Sequence, residues 1–497
     1  MKSNSVSEKY SLDLDGMTVD VQIGYEHGNF VPTYYIKIPG LAEGTKLILD
    51  TQVKGELVGE VKVDVSELLD VRKSEYVKEQ FFTKASKVLL RHFPMLTHEH
   101  LRVLSAYLMQ YTLGLGELEP FLHDDMLEEI VVNGSHQPVW VYHKKYGWCM
   151  TNVTIKEEKS IQDYAAAIGR RVGRQINLLN PLMDARLMSG ERVNATLFPI
   201  STSGNTITIR KFARNPWTPP LFIEHNTVSL EVMAVLWQAI QNEMSILISG
   251  GTGSGKTSFL NALSTLFPPN QRVISIEDTR EIYLPSFLQW VPLSTRLPNP
   301  EGKGEITMLD LMVNSLRMRP DRMIVGEVRR RHEAEILFEA MHTGHSVYAT
   351  LHADNTEQTI SRLTNPPIEI PKVMLHALDL IVVQYRNRRT GIRRTFEVAE
   401  IDNVGNANIV YRWNPRTDKI EKVGEFVEFA HRISMYTGMT QKEMKEDIAE
   451  KSKVLDYMVR NGYRDVDTVG RIIAKYYNER DTLLSAIEKG GNIDVVF

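Results

Sequence analysis

The apolar run Ile246-Leu247-Ile248-Ser249 leads into Gly250-Gly251-Thr252-Gly253-Ser254-Gly255-Lys256-Thr257, the spacing G-x-x-x-x-G-K-[ST], and Ser258-Phe259-Leu260-Asn261-Ala262-Leu263 continues with helical spacing. Strand, glycine loop and helix, in that order, are what a phosphate-binding loop requires. Glycines at 250, 251, 253 and 255 let successive backbone N–H groups curl around an anion, and the helix start adds partial positive charge. Lys256 can reach the β- and γ-phosphates, and the Thr257 hydroxyl suits Mg²⁺. Residues 250 to 258, Ser258 included, are therefore the expected nucleoside triphosphate site.

Two acidic segments lie downstream. Ile274-Ser275-Ile276-Glu277-Asp278 and Met323-Ile324-Val325-Gly326-Glu327 each place carboxylates at the end of an apolar strand. Open α/β sheets bind ligands at that edge. Glu327 is the first candidate to orient or deprotonate the attacking water, Glu277 the second. Glu277 is also the candidate, beside Thr257, for the Mg²⁺ shell. His345 and His352 bracket the predicted strand Ser346–Leu351, where they could sense the γ-phosphate or pass its state to a neighbouring subunit. No cluster with metal-ligand spacing accompanies them, which argues against zinc.

These groups need an α/β scaffold, and the rest of the chain supplies one. Its 497 residues are enough for two to four domains, and 42% hydrophobic with 24% charged residues is ordinary for a globular protein. A net charge of −4 does not suggest a protein that coats nucleic acid. Cys149 stands alone, so no intramolecular disulfide and no cysteine zinc cluster is expected. No apolar run approaches the ~20 residues of a membrane span, and Met1-Lys2-Ser3-Asn4-Ser5 leads into charged sequence rather than a signal peptide. Any membrane role is expected to be peripheral.

Residues 1 to about 64 read as strands and turns, on the alternation at Thr18–Ile23 and Val61–Asp64. Helical spacing then runs through Leu68, Leu69, Tyr76, Val77 and Phe81 to Pro94, and Thr97 caps a second helix. Short strands at Ile130–Val132 and Val139–Tyr142, a helix through Tyr164 and Ile168, and a strand at Thr206–Phe212 follow. Asn215-Pro216-Trp217-Thr218-Pro219-Pro220 reads as a linker, because proline extends neither helix nor ladder. Beyond it helices alternate with apolar strands, the pattern of a sheet covered on both faces. The expected divisions are an α+β region at 1–95, a domain capping the nucleotide at 96–214, a linker at 215–225, a P-loop ATPase domain at 226–400, and a mixed then helical extension at 401–497.

In order, these segments resemble the type II/type IV secretion ATPase superfamily, the motors of secretion systems, type IV pili and archaella. The match runs through Walker A at Gly250–Thr257, an Asp box at Ile276–Arg280, an atypical Walker B at Arg319–Arg329 and a His box from Thr343-Gly344-His345 to His352. It extends upstream through Asp184–Leu187, Gly190–Asn194 and Ile207–Phe212. Leu115–Leu122, Glu128–Gly134 and the extension past Gly424 are similar to the archaeal branch, which includes the archaellum motor. The resemblance implies a RecA-like core, hydrolysis of ATP, a homohexameric ring, and a polytopic membrane platform protein as partner. It also implies residence on the cytoplasmic face of a membrane, with an anionic membrane surface as a further partner. In such proteins the upstream segments supply arginines that reach nucleotide phosphates, which makes Arg192 and Arg210 candidate arginine fingers.

Two other classes stay open at this point. The runs Arg170–Arg174 and Arg386, Arg388, Arg389, Arg393, Arg394 could belong to a RecA-like nucleic-acid translocase, although no aromatic stacking platform is interleaved with them. A scaffold that binds nucleotide without turnover is the other, and the two glutamates argue against it.

Overall fold

The computed structural model describes residues 5–26, 28–37, 41–60, 71–187, 190–211, 216–298 and 302–489. The strand expected at Val61–Asp64, together with Leu68, Leu69, Phe212 and Asn215, lies outside them. The chain divides into two compact units, the main break falling after residue 214.

Among the described residues, the first unit is built on nine strands: β1 (Ser5–Leu14), β2 (Met17–Tyr25), β3 (Thr33–Lys37), β4 (Leu127–Val132), β5 (Pro138–His143), β6 (Gly147–Thr154), β7 (Leu182–Arg186), β8 (Arg192–Thr196) and β9 (Thr206–Arg210). They form one sheet in the order β1-β2-β3-β6-β5-β4-β9-β8-β7. Period-2 alternation decides its faces: Val19, Val21 and Ile23, Val139 and Val141, and Ile207 and Ile209 are all buried. The sheet crosses the expected division at 95/96. β3 pairs in parallel with β6, and Asn152 clips the edge by accepting from Ile36 N–H at 2.8 Å and donating to its carbonyl at 2.9 Å. One sheet thus draws strands from both of the regions expected at 1–95 and 96–214. Residues 43–60 differ as well: they are helical, not strands and turns. Leu49, Val53 and Leu57 recur every fourth residue and are buried with Phe81, Ala85 and Leu89 of the helix Val71–His92. The Thr97 cap accepts from His100 N–H at 3.2 Å.

The second unit carries the glycine loop. Its strands are β10 (Ile246–Gly250), β11 (Val273–Glu277), β12 (Trp290–Ser294), β13 (Arg322–Val325), β14 (Ser346–Leu351), β15 (Leu380–Arg386), β16 (Arg393–Ile401), β17 (Ala407–Asn414) and β18 (Lys419–Lys422). The order is β12-β11-β13-β14-β10-β15-β16-β17-β18. Pairing is parallel from β12 to β15 and antiparallel beyond. β10, β11, β13 and β14 are buried along their whole lengths, as strands covered on both faces must be. Ile246 and Ile248 pack to one side and Leu247 to the other. This sheet continues through β16–β18 and so passes the expected limit at residue 400.

The terminal helices close one face of the sheet. Gln238, on the helix Leu230–Gln241, donates to Asp447 at 2.7 Å, and Asp447 accepts from the fully buried Lys451 at 2.6 Å. Trp237 donates to Tyr477 at 2.9 Å. Within the stretch read as linker, Pro219–Glu224 is a helix. Its prolines occupy the first turn, where a missing N–H costs nothing, and Phe222 stands edge-on to Phe259 at 5.2 Å. Among the described residues, no helix is long and apolar enough to cross a membrane.

Candidate functional site

β10 ends at Gly250, and the helix Lys256–Ser264 begins six residues later. The turn between them needs glycine. Gly255 has φ +94° and Gly253 φ +70°. A Cβ on Gly250 would collide with the Gln384 carbonyl and with Ser254 Oγ, and one on Gly251 would stand 2.7 Å from Asp354 Oδ1. The Lys256 ammonium is folded back into the loop, donating to the carbonyls of Gly250 at 2.9 Å and Gly251 at 3.1 Å. Burial, the largest influence, pushes its pKa down to about 8 against the pull of Glu327 and Asp354. Thr257 is half-buried at the helix start and Ser258 is exposed.

The sheet edge delivers the acids. Glu327 follows β13 and is held in place because Gly326 N–H donates to the Ile276 carbonyl at 2.8 Å and Val328 N–H to the Thr350 carbonyl at 3.0 Å. Glu327 Oε2 accepts from Arg329 at 2.6 Å, and Oε1 meets His352 Nε2 at 3.1 Å. The other ring nitrogen, Nδ1, lies 3.3 Å from Lys256 Nζ. An ammonium can only donate, so Nδ1 accepts and the ring proton sits on Nε2, facing Glu327. Burial and the adjacent Lys256 both lower the His352 pKa, which suits this neutral tautomer. Lys256, His352 and Glu327 thus form one line of polar contacts across β10, β14 and β13.

Glu277, at the end of β11, is 1% exposed. Its Oε1 accepts from the N–H groups of Glu281 at 2.8 Å and Ile282 at 3.0 Å, while Oε2 is buried without a hydrogen-bond partner among the described residues. Burial raises its pKa to about 7. Asp278 takes a different part, accepting from Thr295 at 3.1 Å and Arg329 at 3.0 Å.

Because the folded-state pKa of Glu277 exceeds its ordinary 4.5, the native protein holds the proton more tightly than the unfolded chain. Stability from this group is therefore lost as pH rises from about 4.5 through about 7. Glu277→Gln is expected to raise the melting temperature by several degrees at pH 8 and to leave it unchanged at pH 4. Thermal melts at the two values check this.

His345 stands apart from the loop. It precedes β14 and His352 follows it, so ~20 Å of strand separates them. His345 Nδ1 meets Thr343 Oγ1 at 3.1 Å and the Ala340 carbonyl at 3.2 Å, away from the loop. His352 directly follows β14 and so stands at the carboxyl edge, as Glu327 does after β13, whereas His345 stands at the opposite end. Arg322, inside the Walker B segment, is likewise structural. Fully buried, it donates to the Ile240 carbonyl at 2.7 Å and to Gln271 at 2.5 Å, anchoring the far end of β13.

In the first unit the register sets Arg186 opposite Arg192, and Arg192 opposite Arg210, in one row that crosses to Glu129. Their sequence neighbours Val193 and Ile209 are buried, so the row lies on the outward face. Arg192 is paired with Asp184 through two bonds of 3.1 and 2.7 Å.

The sequence reading missed three side chains at the loop. Asp354 packs on Gly251, and Arg386 and Arg393 reach Gly253 from the β15–β16 hairpin. Asp354 and Arg386, with Gln384, Tyr385, Arg388 and Phe396, border a cleft of about 470 Å³ beside Gly251, Thr252 and Ser254. The only signal in the sequence was the basic cluster, whose distance from the loop along the chain concealed it.

A central parallel sheet, a glycine loop at its carboxyl edge and two acids on neighbouring strands define a RecA-like P-loop ATPase. The type II/IV secretion system protein family model matches residues 114–455. The chain belongs to that family and is an ATP hydrolase. It is 34% identical to an uncharacterised Methanocaldococcus jannaschii protein, MJ0900, over 76% of this chain and 68% of that one. It is 31% identical to the type IV secretion system protein PtlH of Bordetella pertussis, over 56% of this chain and 91% of PtlH. The crystal structure of the VirB11 ATPase of Brucella suis aligns at 25% identity over 58% of this chain and 93% of that chain, with a TM-score of 0.30. The pilus retraction motor PilT aligns at 16% identity over 68% and 91%, with a TM-score of 0.42.

Proposed function

We propose that this ATPase works as a ring of six copies on the cytoplasmic face of a membrane. There, closure on ATP drives a polytopic platform protein that assembles a pilus-like filament of an archaellum, pilus or secretion system. The observation that carries the chemistry is the line Lys256–His352–Glu327, with successive separations of 3.3 and 3.1 Å, at the end of the glycine loop. Lys256 holds the β- and γ-phosphates. Glu327 orients the attacking water, and neutral His352 ties the two, so loss of the γ-phosphate shifts both partners of one imidazole. The residues fit a magnesium ion: the Thr257 hydroxyl stands at the helix start, and Glu277 Oε2 is a buried oxygen still lacking a partner among the described residues. When bound, Mg²⁺ would neutralise phosphate charge, with Thr257 and Glu277 supporting its shell.

The arginine row supports a ring. Arg192 and Arg210 lie in a unit separate from the loop and point away from their own core. An exposed ion pair such as Arg192–Asp184 is worth ~0–1 kcal/mol, so it is easily exchanged for a phosphate. Two arginines share the charge that a single finger meets for a factor of 10³–10⁵, so alanine at either is expected to lower kcat by ~10² with the melting temperature unchanged. Steady-state kinetics on each variant test the assignment. The name of PtlH, and the family itself, support the motor reading.

Light scattering over a concentration series with a non-hydrolysable ATP analogue is expected to report a nucleotide-promoted hexamer, with ATPase activity rising more than linearly with concentration. Full activity from a nanomolar monomer would remove the motor mechanism and leave the ATP site intact. Stimulation by DNA, with none by anionic vesicles, would instead favour a translocase.

A further inference from the structure

The basic cluster Arg386–Arg394, read from sequence as a candidate nucleic-acid contact, has a specific position against the phosphate loop. β15 runs beside β10 with Gln384 opposite Gly250, so the chain beyond Gln384 rises level with the loop. The hairpin is tightly tied. Asn387 N–H donates to the Ile392 carbonyl at 2.8 Å, Gly391 N–H donates to the Asn387 carbonyl at 2.8 Å, and Asn387 Oδ1 accepts from Arg389 N–H at 3.0 Å. The register then sets Arg393 directly opposite Arg386. Arg393 Nε donates to the Gly253 carbonyl at 3.1 Å, and Arg386 Nη1 lies 2.6 Å from where a Cβ on Gly253 would stand.

This contact has a stereochemical consequence. In a trans peptide, C=O and the following N–H point in opposite directions. Drawing the Gly253 carbonyl out toward the hairpin therefore turns the Ser254 N–H inward. That N–H is directed at the Gly251 carbonyl, 3.3 Å away, the same oxygen that takes Lys256 Nζ at 3.1 Å. The interior shared by Ser254 N–H and the lysine is where an anion must sit.

We propose that Arg393 is a positioning residue of the phosphate loop, holding the 253–254 peptide in the orientation that presents the Ser254 N–H to the nucleotide's phosphates. The inference rests on the reading of this loop as the ATP site. Arg393 need not touch nucleotide. It lowers the cost of ordering a glycine-rich turn, whose peptides otherwise rotate freely. A charged donor on a carbonyl shifts such an equilibrium by roughly 10- to 100-fold.

The test is titration of a fluorescent ADP analogue, steady-state ATP kinetics, and amide hydrogen exchange of the segment 250–258 on the full chain. Arg393→Ala is expected to weaken ADP about tenfold, to raise KM in proportion with kcat within about twofold, and to speed exchange at Ser254. Arg393→Lys, which keeps a cationic donor, is expected to recover most of the affinity. Arg389→Ala removes the same charge from the exposed hairpin tip and is expected to change nothing. Unchanged ADP affinity and exchange in Arg393→Ala would overturn the proposal. So would a fall in kcat at constant KM, or an equal loss in Arg389→Ala, which would make the effect one of net charge. Should Arg393→Ala fail to fold, a tenfold loss in a folded Arg393→Lys would overturn it and near-normal affinity would support it. Failure of the unaltered protein to bind ADP would instead remove the ATP-site reading itself.

Discussion

Lys256→Ala is expected to abolish measurable hydrolysis, lowering kcat/KM by at least ~10³, and to weaken ATP binding as well. The ammonium is pre-placed: its stem is buried, its three protons face two loop carbonyls and His352, and burial has already pushed its pKa down to about 8. An ammonium so desolvated gains more from a phosphate than an exposed one, because it has little water left to lose. Removing it also releases His352 Nδ1, freeing the imidazole to change tautomer and so loosening Glu327. A malachite-green phosphate assay beside calorimetric titration with ATP separates these effects. Hydrolysis within tenfold of normal would mean that Lys256 is not the phosphate lysine.

Glu327→Gln is expected to leave ATP bound near normal affinity while kcat falls by ~10³, since a carboxamide fills the same space but is a poor base. The carboxamide keeps one acceptor oxygen where the carboxylate has two, so it retains the contact to either Arg329 or His352 and loses the other together with its basicity. Single-turnover measurement of γ-phosphate release, with binding followed by a fluorescent ATP analogue, checks both halves. Normal turnover would transfer the role to Glu277. The alternative base would also leave a signature in pH, because Glu277 loses its proton only near pH 7.

Glu277 and Glu327 were legible because each directly follows a short apolar strand, and such strands end at the edge where ligands bind. The glycine loop was legible for the same local reason. His345 and His352 lie seven residues apart and carry the same chemistry, and only pairing of β14 beside β10, with Ser249 opposite Leu351, decides that His352 faces Lys256. The turn-and-strand reading of residues 43–60 failed because Gly44, Gly55 and Gly59 weaken the local helical preference, and the i, i+4 stripe Leu49, Val53 and Leu57 holds as helix by packing on Phe81 and Leu89. Proline misled at 219–220, where a helix start tolerates it.

By itself, then, the chain declared its loop, its acids and the family those segments resemble, since each is encoded within a dozen consecutive residues. Local backbone preference and hydrophobic period suffice for such features. What only tertiary structure decided are the relations between distant segments. Arg393 lies 140 residues from Gly253 and Glu327 25 from His352, yet each pair is in contact. The row Arg186, Arg192 and Arg210 exists only through the register of three strands. Sheet order and register carry no short-range sequence signal; they are fixed when apolar faces from the whole chain are buried together, and the side chains at the sheet edge are placed as a consequence.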